Sequence, residues 1–344
     1  MNRRHLLNFL KGVLIALPLC NPAFADSRTS QATYEACLTR LLQSALDTDT
    51  VGDIRRACAD INQKEGVVDV PEVDDTQLPD RLLEARLAYE SAASRNRFAI
   101  VQHKGNYVFP LTYNSKVNNA PFQEVDENAE LQRAEFKFQL SMKLSITDDL
   151  FNTGGRLFAG YTNQSYWQVY DTENSSPFRE TIHEPELFVD YDTDINLGSW
   201  SMPLIRLGLV HQSNGRSAPL SRGWNRVYGQ FFLEKRNWAV SFKPWIRIPE
   251  PESRDDNPDI EDFLGNFELG ILRKGNRSTA SIMLRNNLQS PNRSGIQLDY
   301  TLPIPGSDNL RFYLQYFYGY GESLIDYDAV SNRFSIGLKL NDLL

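Results

Sequence analysis

Several residue types are too scarce here to build the sites they usually build. The chain has 3 cysteines and 4 histidines in 344 residues, and no two cysteines stand at the C-x-x-C spacing of a zinc or redox motif. It contains no G-x-S-x-G, no H-E-x-x-H and no P-loop, which sets aside α/β-hydrolase, zincin and nucleotide-phosphate chemistry. Positive charge is short as well: 36 Lys and Arg against 44 Asp and Glu give a formal charge of −8. Such a chain lacks the basic surface a nucleic-acid partner requires, and none is expected. Long apolar runs are missing beyond residue 25, where no stretch approaches the ~18 residues of a spanning helix.

The first 25 residues, MNRRHLLNFLKGVLIALPLCNPAFA, place Arg3, Arg4 and Lys11 before an apolar run that ends in Ala23-Phe24-Ala25. This is the layout of a secretory signal peptide with an A-x-A cleavage site. Leu19, not a small residue, precedes Cys20, which argues against a lipid-anchored cysteine. Loss of residues 1–25 takes three positive charges and no acid, moving the charge from −8 to −11. In an oxidising compartment Cys37 and Cys58 are expected to form a disulfide. Residues 26–96 are acidic, and TYEACLTRLLQSAL and LPDRLLEARLAYESA carry apolar residues at helical spacing. They read as a periplasmic helical extension. An exported chain of this kind is either soluble or crosses a membrane as a β-barrel, whose strands look only half hydrophobic.

From residue 97 onward the hydrophobic period becomes two. In Glu135–Ser145, Phe136, Phe138, Leu140, Met142 and Leu144 alternate with Lys137, Gln139, Ser141 and Lys143. Eleven residues at ~3.3 Å each, tilted by roughly 45°, cover about the 25 Å of an outer-membrane apolar band. Similar runs occur at 106–114, 157–166, 187–194, 204–213, 225–234, 238–248, 263–272, 278–288, 296–304, 310–320 and 333–344. A β-sandwich, the other all-β fold, would also alternate, but strand length, terminal Tyr and Trp, and the export signal favour the barrel. The expectation is an antiparallel transmembrane β-barrel of about twelve strands over residues 97–344. Inward positions such as Tyr313, Trp245, Arg247, Arg206 and Arg226 are bulky, which weighs against a passive porin.

One stretch, IRLGLVHQSNGRSAPLSRGWN, places His211 and Ser213 on the same strand face as Ile205, Leu207 and Leu209. Asn225 shares the apolar face of the next run. If the runs form a hairpin, the three meet on the apolar side, where polar groups are costly unless they work. Serine needs a neighbouring base, and the base needs a third group to fix its tautomer; Asn can orient an imidazole but offers it no charge. A single His at a strand end is otherwise often structural, and the common parity of all three residues is what favours a catalytic reading. His103 lies in a linker-like stretch, and His183 in a loop-like one is the reserve base. Asp255-Asp256-Asn257-Pro258-Asp259 could hold a hard cation or be simply solvated. On a barrel the apolar face meets lipid, so the substrate such a site would encounter is a phospholipid.

HQSNGRSAPLSRGWNR, SYWQVYDTENSSPFRETIHEPELF, KPW with DDNPDI, and YGYGESLIDYD resemble blocks of the bacterial outer membrane phospholipase A family. The resemblance runs from about Asn106 to Leu344 and leaves residues 26–96 outside. It implies a twelve-stranded barrel in the Gram-negative outer membrane with a catalytic Ser-His-Asn triad matching Ser213, His211 and Asn225. It further implies calcium-dependent hydrolysis of the 1- and 2-acyl esters of phospholipids, with activation on forming a homodimer. The family's oxyanion glycine falls on Gly215. Its Ca2+ ligands fall on the Ser221 side chain, the Arg216 carbonyl and the carbonyl of Ser175 of the partner subunit. Two positions depart from the family pattern. Asn163 stands where a Gln bonds across the dimer, and Ala218 where the active-site loop carries an acid. A non-catalytic porin and a structural barrel with a degenerate site are the alternatives.

Overall fold

The computed structural model describes residues 81–94, 99–307 and 309–341, all within one compact unit, Val73–Leu344. The expected signal peptide and the Cys37–Cys58 pair lie outside the described residues. A helix, α1 (Leu82–Ser94), precedes a two-residue strand, β1 (Val101–Gln102), and twelve longer strands follow. These are β2 (Asn106–Asn114), β3 (Ala134–Thr147), β4 (Arg156–Trp167), β5 (Phe178–Leu197), β6 (Trp200–Ser213), β7 (Gly223–Lys235), β8 (Trp238–Ile248), β9 (Phe267–Lys274), β10 (Thr279–Asn286), β11 (Ser294–Pro303), β12 (Leu310–Gly319) and β13 (Ser331–Leu340). Each pairs with the next, and β13 returns antiparallel to β2. The sheet is therefore a closed twelve-stranded antiparallel barrel with no free edge, the one sheet form that satisfies every backbone group in hydrocarbon.

Alternation decides which face goes where. On β3, Leu140, Met142 and Leu144 point outward and are exposed, while Lys137, Ser141 and Lys143 point inward and are buried. On β6 the exposed pair is Leu207 and Leu209, and Arg206 is buried. An exposed apolar belt around a polar interior suits a bilayer and would be a liability in water. The interior is packed with ion pairs: Arg206 Nε lies 2.6 Å from Asp190, Arg333 Nη1 2.7 Å from Glu135, and Lys137 Nζ 3.3 Å from Glu322. A cavity of about 450 Å³ remains among them.

The two ends differ. At the end where β2 begins, turns such as 198–199 and 236–237 are tight. There α1 enters the barrel mouth: the Leu83 amide donates to Glu234 Oε2 at 2.7 Å, and Glu90 pairs with Lys143 at 2.7 Å. At the opposite end long loops (115–133, 249–266, 320–330) fold inward, carrying the short helices α2 (Ala120–Gln123) and α3 (Ile260–Leu264). Ile260, Leu264, Leu324 and Ile325 are buried there. Long loops mark the outer side of bacterial barrels.

Two elements differ from the sequence reading. β5 begins at Phe178, well before 187, so His183 is a strand residue and not a loop residue. The inward Glu180, Glu184 and Glu186 hide the strand's alternation, because each acid is partnered inside the barrel. β9 begins at Phe267 rather than 263: the apolar residues before it form α3, which packs into the barrel mouth.

Candidate active site

His211 and Asn225 are direct cross-strand partners on β6 and β7, and both side chains face outward. Opposite residues of an antiparallel pair bring their Cβ atoms to about 5 Å, and here His211 Nδ1 lies 2.9 Å from Asn225 Oδ1. A side-chain amide oxygen can only accept, so the proton sits on Nδ1, leaving Nε2 to take a proton. Ser213 is two residues along β6 on the same face. Among the described residues no hydrogen bond joins its hydroxyl to His211; such contacts often close only around bound substrate.

Ser213 belongs to a row running across four strands. Asn163 on β4 pairs with His183 on β5, His183 with Ser213, and Ser213 with Gly223 on β7. Gly223 keeps the row open, since a Cβ there would lie 3.3 Å from Ser213 Cβ. His183 stands beside the serine, with its Nδ1 2.7 Å from the Tyr161 hydroxyl. The reserve base of the sequence reading is therefore a direct cross-strand neighbour of Ser213. His103 is excluded as a base by its surroundings. It is buried inside the barrel, stacked on Phe188 and 3.0 Å from Glu186, on the opposite side of the wall from Ser213.

The loop 214–222 after Ser213 is organised by a buried residue the sequence did not single out. Asn214 Oδ1 accepts from the Arg222 amide at 3.0 Å and the Arg216 amide at 3.3 Å, while Nδ2 donates to the Leu220 carbonyl at 2.8 Å. This clamp presents Gly215 at φ +64°, in the left-handed region that favours glycine. Arg216 is tied back to β5, its Nη2 donating to the Phe178 and Arg179 carbonyls at 2.9 and 2.7 Å. Ser221 Oγ donates to Asp256 Oδ2 at 2.5 Å. The acidic stretch weighed as a cation binder thus places one carboxylate beside the serine expected as a metal ligand. Ser175 lies in the 168–177 loop, exposed, at φ +58°. Among the described residues neither the Arg216 nor the Ser175 carbonyl accepts a hydrogen bond. No group of three or more His, Cys, Asp or Glu among them could hold a metal alone. Ala218 offers the loop no carboxylate.

Fold and placement together define an outer-membrane-type β-barrel carrying a Ser–His–Asn cluster on its lipid-facing wall. The chain belongs to the Phospholipase A1 family, whose model matches residues 83–340. It is 36% identical over 248 residues to Phospholipase A1 of Proteus vulgaris and to that of Escherichia coli (strain K12), covering 72% of this chain and 83% of each relative. Among solved structures it resembles outer membrane phospholipase A from Escherichia coli, with 37% identity, a TM-score of 0.67, and coverage of 72% of this chain and 94% of that one. It resembles equally, at 35% identity and a TM-score of 0.67, the Salmonella typhi outer membrane phospholipase dimer with bound calcium, again over 72% of this chain and 94% of the other.

Proposed function

We propose that the protein is a calcium-dependent outer membrane phospholipase that hydrolyses phospholipid acyl esters at the 1- and 2-positions and is active as a homodimer. The observation that carries this reading is the His211 Nδ1–Asn225 Oδ1 contact of 2.9 Å beside Ser213 on the lipid-facing wall. A phospholipid presents its acyl esters to a site on such a surface, and the Phospholipase A1 family match favours it as substrate. Ser213 Oγ attacks the acyl carbonyl as His211 Nε2 takes its proton. His211 returns the proton to the leaving glycerol oxygen, and the same base then activates water to release the fatty acid. Asn225 holds the imidazole through this cycle. The Gly215 amide is the candidate oxyanion donor; one such donor is often worth ~3–4 kcal/mol of barrier.

Ser221 Oγ, the Arg216 carbonyl and Asp256 are hard oxygen donors on adjoining loops, a set that suits Ca2+ over softer metals. The carbonyl of Ser175 of the partner subunit would complete the set, which makes an isolated barrel incomplete. When bound, the ion would supply positive charge near the developing oxyanion. The relative from Salmonella typhi is a calcium-bound dimer, and a further structure of the Escherichia coli protein is an active-site mutant with an asparagine changed to alanine. Both are consistent with this assignment.

The test is a calcium-titrated hydrolysis assay on mixed phospholipid–detergent micelles, with Ser213→Ala as control. Wild type should respond saturably to calcium and label with a fluorophosphonate. Ser213→Ala should do neither while keeping its heat-dependent gel mobility. Residual turnover of more than a few per cent in Ser213→Ala would overturn the assignment. A porin would instead show large single-channel conductance, which the ion pairs crossing the lumen oppose.

A further inference from the structure

An asparagine is a weak third member for a relay of this kind. Its amide carries no charge to offset the imidazolium, and it can flip. If the NH2 group faced His211 Nδ1, that nitrogen would have to be the acceptor. The proton would then sit on Nε2, which could no longer take the serine proton. Something must choose the productive orientation.

Glu250 meets that need. Asn225 Nδ2 donates to Glu250 Oε1 at 2.7 Å, while Asn225 Oδ1 faces His211 Nδ1 at 2.9 Å. A carboxylate can only accept, so it fixes the NH2 group on its own side and the oxygen on the histidine side. The placement of Glu250 follows from the strand. Ile248, the last residue of β8, is the cross-strand partner of Asn225, and Glu250 lies two residues further on. Proline flanks it on both sides, at Pro249 and Pro251. A prolyl ring fixes its own φ, and the residue before it is held extended. The Pro–Glu–Pro segment is therefore stiff, and its backbone loses little freedom in placing the Glu250 side chain beside Asn225.

We propose that Glu250 is a positioning residue forming a fourth link, Ser213–His211–Asn225–Glu250, which fixes the Asn225 amide and lends it negative charge. This rests on Ser213 and His211 acting as nucleophile and base. The charge reaches the imidazole through a polarised amide, so the arrangement supplies electrostatically part of what an aspartate would supply directly. No proton leaves Asn225 or Glu250 during the reaction.

The experiment measures kcat and KM on phospholipid micelles at saturating calcium, with intact gel mobility confirming that each variant is folded. Glu250→Ala should lower kcat about tenfold, equivalent to ~1.4 kcal/mol, with KM unchanged. In an Asn225→Ala background the same substitution should change nothing, because its effect runs through that amide. Asn225→Asp should be impaired, since it places two carboxylates in contact. Adding Glu250→Gln to it should raise kcat, because the new amide can donate to the introduced carboxylate. That reversal of sign has no counterpart in a merely structural role. The proposal falls if Glu250→Ala leaves kcat within twofold of wild type. It falls equally if the loss is the same with and without Asn225, or if Glu250→Gln fails to improve Asn225→Asp. An active Ser213→Ala would instead remove the catalytic reading itself, so the two failures are distinguishable.

Discussion

Removing the Glu322 carboxylate should be among the most destabilising single changes in this barrel. Glu322 is buried, in the loop that folds down from the outer end. Arg333 Nε lies 2.8 Å from its carboxylate and Lys137 Nζ 3.3 Å. Burial alone would raise its pKa, but Arg333 and Lys137 together hold it down to about 2 from an ordinary 4.5. That difference corresponds to roughly 3 kcal/mol of preference for the charged form. An independent guide agrees: breaking a buried pair by deleting one partner typically costs ~3–5 kcal/mol. The lower end applies here, because Arg333 keeps Glu135 at 2.7 Å and Lys137 keeps Gln315 at 2.8 Å. Glu322→Ala should therefore lower unfolding stability by about 3 kcal/mol, read from urea titrations in micelles by tryptophan fluorescence. Adding Lys137→Met should recover part of the loss by removing a stranded cation. The sign with pH follows from the depressed pKa. The carboxylate's contribution is complete above about 4.5 and is lost as pH falls toward 2. Wild type should weaken across that window, and Glu322→Ala should weaken less. A variant with the wild-type urea midpoint at neutral pH would refute this reasoning.

Three further outcomes concern the site. Gly215→Ala puts a side chain at φ +64°, against only ordinary contact with His183 at 3.7 Å; backbone strain of ~1–3 kcal/mol should cut kcat at least tenfold and leave gel mobility unchanged. Ser221→Phe should abolish the response to calcium in the micelle assay, and a variant that still titrates normally would remove Ser221 from the ion site. Asn163 Oδ1 already accepts from Ser165 at 3.2 Å within its own barrel. Asn163→Gln, one methylene longer, should tighten the dimer by about 1 kcal/mol, roughly fivefold in Kd; an unchanged sedimentation equilibrium would count against it.

The barrel was legible because its rule is local. On β3 and β12 every second residue is apolar, and the structure follows that pattern nearly to the strand ends. The upper half of β5 was not legible, because Glu184 and Glu186 make sense only beside Lys104 and His103, some eighty residues away. The same division separates the parts of the site. His211 and Ser213 share a strand face, and Asn225 lies across one hairpin, so parity sufficed to propose them. Asp256, Asn214 and Glu250 reach their partners through the paths of the loops. No periodicity in the sequence encodes those paths. DDNPDI did carry a signal, acidity, but nothing in the chain ties it to Ser221 before the loops are placed.

A two-faced strand also holds the site from behind. Between the outward His211 and Ser213 stands Gln212, and Trp224 and Arg226 flank Asn225. All three make contact on the barrel's inner side. Gln212 Oε1 accepts from Trp224 Nε1 at 2.8 Å and from Arg226 Nη2 at 3.1 Å. The Arg226 guanidinium lies 4.0 Å from the Trp224 ring and 5.3 Å from Trp245. These bonds lock β6 and β7 in register at the level where His211 must meet Asn225. Gln212→Leu would leave the buried Trp224 N–H without its acceptor, at a cost of ~1–3 kcal/mol. The hairpin can relieve part of that cost by shifting, and a misplacement near 1 Å at a reacting group can cost about 10²-fold in rate. Gln212→Leu should thus reduce kcat at least tenfold with KM little changed, although its side chain never meets substrate. Gln212→Glu, which keeps an acceptor for both donors, should retain most of the activity. If Gln212→Leu turned over at the wild-type rate, the inner face could not be what positions the outer one.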